Sequence, residues 1–314
     1  MTFVNFGRLT GAKLLNEPSI SSFEKIETNA KKIKRGDLFI GDSKEDIALA
    51  LELEAYGIVS TSKLEIIDDE IAWFSADSID GVLIRLLRFK LTKIKFHFIY
   101  LPHIEIELIK TISNKENMVF LDTDEKNSYE KIINADAQSM IFSSDKVFLN
   151  QIYPDFKSLR PLKKPIFQRN NKSLFLSNFF YQGEIFTDIK ISPLLLEYLE
   201  NVVTFLEQAH ISYEIQKCTY GSHFHPIFVN QKLLIRPFGK SEQVLICESD
   251  KALIDKIVAY IKAEAPWAKT LFIESSELES LKNIEFNFAI IASEYDKLVE
   301  ALEKNEKREN TLLF

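Results

Sequence analysis

Short apolar runs alternate with stretches of helical spacing along nearly the whole chain, the rhythm of βα units, and predict an α/β protein. Residues 37–41 (DLFIG) read as a buried strand, and Ser43 followed by Asp46 resembles a capping box opening a helix. Tyr56-Gly57 stops that helix and residues 58–61 begin a strand; residues 71–76 (IAWFSA) make another. Asp77 or Ser78 caps the next helix, with Val82, Leu83, Leu86 and Phe89 as its apolar stripe and Arg85 and Arg88 outside. Residues 93–101 (KIKFHFIYL) alternate and then become apolar, a strand leading into a second sheet.

The rhythm then continues: helix 104–112, strand 117–122, helix 125–134 and strand 138–143, with Ser144 or Asp145 opening a short helix. Residues 160–165 (RPLKKP) are polar and bounded by proline, the best linker in the chain. Residues 173–190 look β-rich, and Ser192-Pro193 starts a strong helix to about His210. Residues 211–216 and 227–236 read as strands around a loop. A plain βα pattern closes the chain: strand 243–247, helix 250–263, strands 269–273 and 286–292, and helix 295–304. The charged stretch 303–310 is expected to be solvated, with Leu312-Leu313-Phe314 free to dock. The pattern predicts three domains: 1–91, a remodelled α/β centre at 92–165, and a C-terminal α/β unit at 166–314.

Composition narrows function more than fold. The 314 residues suffice for a sizeable core, with 46% hydrophobic and 27% charged residues, ordinary for a globular protein. Twenty-five Phe against 9 Gly point to an aromatic core, with a surface aromatic groove or a protein–protein scaffold as the other readings. A net charge of −7 argues against nucleic acid as a partner, because phosphate binding needs a basic surface. No basic block suggests a membrane patch, and no apolar stretch reaches the roughly 20 residues of a membrane span. Cys218 and Cys247 lie far apart and read as reduced core thiols. Residues 1–15 lack an apolar secretory region, so a soluble, cytoplasmic protein is expected.

Residues 26–41, IETNAKKIKRGDLFIG, resemble the signature of the N-terminal domain of Mur ligases, nearest the enzymes adding the third residue or the D-Ala-D-Ala dipeptide to UDP-MurNAc-peptide. Gly36-Asp37-Leu38-Phe39 matches the pattern fully, and Ile33 occupies its apolar spacer. The likeness continues in order through residues 50–60 and 71–89, covering about residues 20–90. It implies a ligand-binding segment at Thr28, Asn29 and Lys31, with Asp42 and Ser43 on the following loop, and as partner a nucleotide-sugar or a cell-wall enzyme.

The departures point away from ligation. Thr28-Asn29-Ala30-Lys31 stands where the family has Thr-Asp-Ser-Arg, so Ala30 lacks the hydroxyl that helps hold uridine nucleotide, a loss of about 1 kcal/mol or more. The family's Asp-Gly-His stretch is replaced by Gly41-Asp42-Ser43. Mur ligases next have a strand, a Gly-rich loop ending Gly-Lys-Thr and a helix, whose amides cradle ATP phosphates. Here the strand runs into Pro102-His103-Ile104-Glu105-Ile106-Glu107, with no glycine and two carboxylates. Gly239-Lys240-Ser241 is not a displaced copy, since Leu234 holds the position of the first glycine and a strand follows. No cofactor is expected, and no G-x-G-x-x-G marks a dinucleotide site.

Other chemistry is sparse. His223-Phe224-His225 could supply a metal with two ligands, but a third cannot be placed, and a polar loop is the plainer reading. His97 in a strand and His210 at a helix end need no catalytic role. Asp122-Thr123-Asp124 and Ser143-Ser144-Asp145 read first as helix starts. The expectation is therefore a degenerate, non-catalytic Mur ligase relative binding a cell-wall precursor or partner. The alternative is a hydrolase or transferase using His223 and His225.

Overall fold

The computed structural model describes residues 1–63, 65–114, 116–122, 124–170 and 173–311, without the side chains of 306–311. Thr123, the docking expectation for Leu312-Leu313-Phe314 and the solvation of the side chains at 306–310 therefore lie outside what is described. The chain is mixed α/β, as the hydrophobic rhythm requires, and divides into two compact units. One comprises residues 1–101 and 115–158, the other 102–114 and 159–314.

The first unit opens with α1 (Phe3–Thr10), β1 (Lys13–Leu14), β2 (Ile26–Glu27) and β3 (Leu38–Ile40). Then come α2 (Lys44–Glu52), β4 (Gly57–Ser60), β5 (Ala72–Ser75) and α3 (Ile79–Lys93). These strands form one sheet in the order β1-β5-β4-β3-β2, parallel except for the β1 edge. Every residue of β3 and β4 is buried, as expected of parallel strands covered on both faces. Gly36, at φ +99°, makes the left-handed turn that leads through Asp37 into β3, a conformation a Cβ would disfavour. On one face of this sheet Trp73 packs with Phe39, Ile58 and Ala50; on the other, Phe6, Phe74 and Leu83 join a larger cluster.

After β6 (His97–Tyr100) the chain enters the second unit as α4 (His103–Ile112), then returns to the first as β7 (Met118–Phe120), α5 (Glu125–Asn134), β8 (Met140–Ser143), α6 (Lys146–Ile152) and β9 (Lys157–Ser158). The second sheet is parallel throughout, ordered β7-β8-β6-β9. Phe98, Ile132, Ile141 and Leu149 carry the larger apolar cluster onward from Phe6 and Leu83, and α3 packs on α5.

The second unit adds β10 (Gln168–Arg169), β11 (Ser177–Tyr181), β12 (Glu184–Ile189), α7 (Leu196–Gln208), β13 (His225–Val229), β14 (Gln243–Glu248), α8 (Lys251–Glu264), β15 (Thr270–Glu274), β16 (Phe288–Ala292) and α9 (Tyr295–Thr311). Strands β10–β12 form an antiparallel sheet in sequence order. The other sheet runs β13-β14-β16-β15, with β13 antiparallel to three parallel strands. Helix α4 packs on α7, where the buried Glu105 accepts a bond from Asn201 and burial pushes its pKa up to about 6.

Caps fall where the polar residues predicted, except that Asp250, read as the first helical residue, is itself a cap. Ser43, Ser78, Asp124, Asp145, Ser192 and Asp250 each accept a backbone N–H at a helix start, worth about 1 kcal/mol apiece. Three expectations fail. Phe89 is 39% exposed, with Lys93 over its ring, because Leu87 takes the inward position instead. Residues 211–216 form no strand: a single bridge at Tyr213 leads into a 3-10 turn over Ile215–Lys217. Strand β13 ends at Val229, where Asn230 Oδ1 accepts from the N–H groups of Lys232 and Leu234 and turns the chain. The phenylalanines chiefly build cores, as in the stacked Phe167–Phe179 pair at 4.1 Å. Both cysteines are free and buried, their thiols pushed up to about 12 by burial.

Candidate functional site

In the first unit, the residues singled out by resemblance gather at one edge. Thr28, Asn29 and Lys31 follow the C-terminal end of β2, and Asp42 and Ser43 follow that of β3. Ser60 and Thr61 lie at the end of β4 beside them. In parallel sheets this is the edge where ligands bind. Most of these polar groups are committed within the protein. Asp42 accepts from the hydroxyls of Ser60 and Thr61 and from the Thr61 N–H, and these bonds hold its pKa low against the raising effect of partial burial. Ser43 caps α2 and donates to Glu45 at 2.9 Å. Asn29 caps a short 3-10 turn by accepting from Lys31 N–H, and Lys31 itself is exposed. Ala30, which lacks a hydroxyl, is buried in the Trp73 cluster.

Thr28 revealed a feature that spacing could not show. Its N–H and hydroxyl both donate to Glu130 of α5, which lies beside Glu27. Burial, then the charge and hydrogen bond of Glu130, then Asp37 push Glu27 up to about 7, with Lys32 opposing. A folded-state pKa above the ordinary 4.5 means that the folded protein holds a proton the unfolded chain releases between those values. The Glu27 contribution to stability is then fully present below pH 4.5 and is lost as pH rises through 7. We expect Glu27→Gln to flatten this slope and to stabilise the protein at pH 8 by about 1 kcal/mol, the half-exposed carboxyl being partly screened by water. Urea denaturation at pH 5 and pH 8 checks this; an unchanged slope would contradict it.

The second unit holds a denser constellation. His103 and Glu107 sit one turn apart on the same face of α4. His223 arrives from the loop before β13, with its Nε2 3.3 Å from His103 Nδ1. On its other side, His223 Nδ1 lies 3.0 Å from Glu248 Oε1, at the end of β14. Glu248 is completely buried and also accepts from the N–H groups of Phe224 and Asp250. A carboxylate so placed is an acceptor, so His223 Nδ1 carries the proton and donates. Burial acts to depress the His223 pKa, but the hydrogen bond and charge of Glu248, helped by Glu107 and Asp250, raise it above its ordinary value.

Glu107 is anchored through Oε2, which accepts from Ser222 N–H at 3.0 Å, while Oε1 stands 3.9 Å from His103 Nδ1. A Cβ on Gly221 would crowd that Oε2 and displace it from the Ser222 amide. His225 lines the same open cleft, of about 680 Å³, but is separately engaged. Its Nδ1 lies 2.8 Å from the Gly221 carbonyl and its ring stacks on Tyr295 at 3.8 Å. Burial lowers its pKa, against the opposing Gly221 bond. The structure therefore groups His223 with His103 and Glu107, whereas the sequence had paired it with His225. His103 was missed because its partners lie 120 residues away; the i, i+4 placement of His103 and Glu107 was the one available signal.

Asp124 and Asp145 act as caps, and Asp122 pairs with Lys131 at 2.8 Å. Ser241 donates to the Val229 carbonyl within a turn, not a strand–loop–helix phosphate cradle. Among the described residues, no helix is long and apolar enough to cross a membrane.

No protein-family profile matches the chain, and no curated protein matches it in sequence. Solved structures do match. MurF ligase from Thermotoga maritima in complex with ADP superposes with a TM-score of 0.52 at 13% identity, covering 91% of this chain and 98% of that one. MurF from Acinetobacter baumannii gives 0.53 at 8% identity over 97% of this chain and 87% of its own. The UDP-N-acetylmuramoylalanyl-D-glutamyl-2,6-diaminopimelate–D-alanyl-D-alanyl ligase of the same organism gives 0.53 at 7%, over 96% and 98%. At such identities the likeness is one of fold: the chain has a Mur ligase-like α/β fold.

Proposed function

We propose that this protein is a degenerate Mur ligase relative that binds a cell-wall precursor, or a partner in peptidoglycan metabolism, without ATP-dependent ligation, in the cytoplasm. The observation that carries the reading is the start of α4. Where a ligase of this fold needs a glycine-rich phosphate loop, the chain passes from β6 through Leu101 to Pro102 at the helix cap. Pro102 has no N–H, and its carbonyl accepts from the Glu105 and Ile106 amides. Glu107 adds a carboxylate that would repel a triphosphate. These residues do not fit Mg-ATP.

Binding in this reading uses the C-terminal edge of the first sheet, with exposed Lys31 beside Thr28, Asn29, Asp42 and Ser43. The preserved Gly36–Phe39 turn supports it. Domain boundaries near residues 91 and 165 accompany the proposal. Isothermal titration with UDP-MurNAc-peptides should give binding that Lys31→Ala weakens, with no heat from Mg-ATP. Tight Mg-ATP binding with ligase turnover would sink the reading.

A second reading, a hydrolase or transferase, is favoured by His223 and His225 lining one cleft. Hydrolysis of a model ester or phosphodiester, lost in His225→Ala, would support it.

A further inference from the structure

We propose that His103, Glu107 and His223 form a binding site for a divalent transition metal of the zinc class, with a coordination position open to the cleft. The site is independent of precursor binding. One ligand atom from each of the three residues lies within 4.8 Å of the others. A tetrahedral zinc with bonds of about 2.0–2.1 Å holds two imidazole nitrogens about 3.3–3.4 Å apart. His103 Nδ1 and His223 Nε2 stand 3.3 Å apart, so a common ion meets both with little movement.

The surroundings are arranged as metal sites require. Glu248 accepts from His223 Nδ1, which directs the Nε2 lone pair at the ion and raises its basicity. That carboxylate is fully buried and locked by two backbone donors, so it is a fixed acceptor that His223 would lose by swinging away. Glu107 spends Oε2 on the Ser222 amide, which leaves Oε1 on the His103 side for the ion. Two imidazoles and one carboxylate are a donor set that suits zinc and leaves a fourth position for water or an anionic oxygen. Asp250, Glu294 and Asp296 on the cleft wall add negative potential that favours a cation.

Without metal, the short approach of the two rings is met by a proton on one nitrogen donating to the other. Metal binding takes the Nδ1 lone pair of His103, and the neutral ring keeps its proton on its own Nε2.

The test is calorimetric titration of the full chain, stripped with a chelator, with zinc chloride and separately with magnesium chloride. We expect about one equivalent of zinc bound at roughly 1 µM or tighter, and magnesium far weaker, as nitrogen donors dictate. His103 is exposed, so His103→Ala should fold normally yet weaken zinc by on the order of 100-fold. Glu107→Gln should weaken it less. Cobalt in place of zinc should give the visible bands of a four-coordinate site, absent in His103→Ala. Zinc binding no tighter than about 100 µM, or binding retained in both variants, would overturn the assignment.

Discussion

Trp73→Ala is expected to destabilise the first unit by about 3–5 kcal/mol. Trp73 is 1% exposed and is among the largest fully buried side chains. It fills the space between Phe39, Ile58 and Ala50, and its Nε1 donates to the Asp68 carbonyl at 2.7 Å. Alanine would leave a cavity and remove that donor together. The loss should also loosen Ala30 and Ile33, which belong to the same cluster and carry the Thr28–Lys31 segment. Denaturation in urea followed by far-UV circular dichroism reads the effect, since Trp267 is the only other tryptophan and is 73% exposed. A midpoint within experimental error of the parent would contradict the packing described.

Glu248→Ala should be comparably costly in the second unit, about 3–5 kcal/mol, because it breaks a buried charged network from one side. Three donors lose their acceptor: His223 Nδ1 and the N–H groups of Phe224 and Asp250. Glu248→Gln keeps one acceptor oxygen and should recover about half of the loss. Glu248 is a positioning residue for His223, and nitrogen NMR of the imidazole separates that role from stability alone. In the parent the Nδ1 position should be protonated; in Glu248→Ala the tautomers should mix. A His223 spectrum unchanged by the substitution would show that Glu248 does not orient the ring.

Much of the architecture was legible because local chemistry and tertiary packing agree. Ser43, Ser78 and Asp124 cap helices in the structure as their place before the helical stretches implied. The all-buried strands Leu38–Ile40, Gly57–Ser60 and Gln243–Glu248 came from unbroken apolar runs. Residues 211–216 misled because their apolar alternation lacks a neighbouring strand to pair with; only the Tyr213 bridge forms. Phe89 misled because helical spacing offers two inward faces, and Leu87 occupies the one that is covered.

The candidate sites divide differently. By itself, the sequence determined the α/β rhythm, the helix caps and the Gly36–Phe39 turn, all set by interactions spanning a few residues. It also determined what stands at the start of α4, a proline followed by two carboxylates. Only the tertiary structure decided that His223 turns from His225 toward His103 and Glu107. Only it placed Glu130 against Thr28 and Glu27, 102 residues away along the chain from the threonine. The reason is physical: metal ligation and carboxylate pairing depend on distances of a few ångströms between side chains. Those distances are fixed by how helices and strands pack, not by their order in the chain.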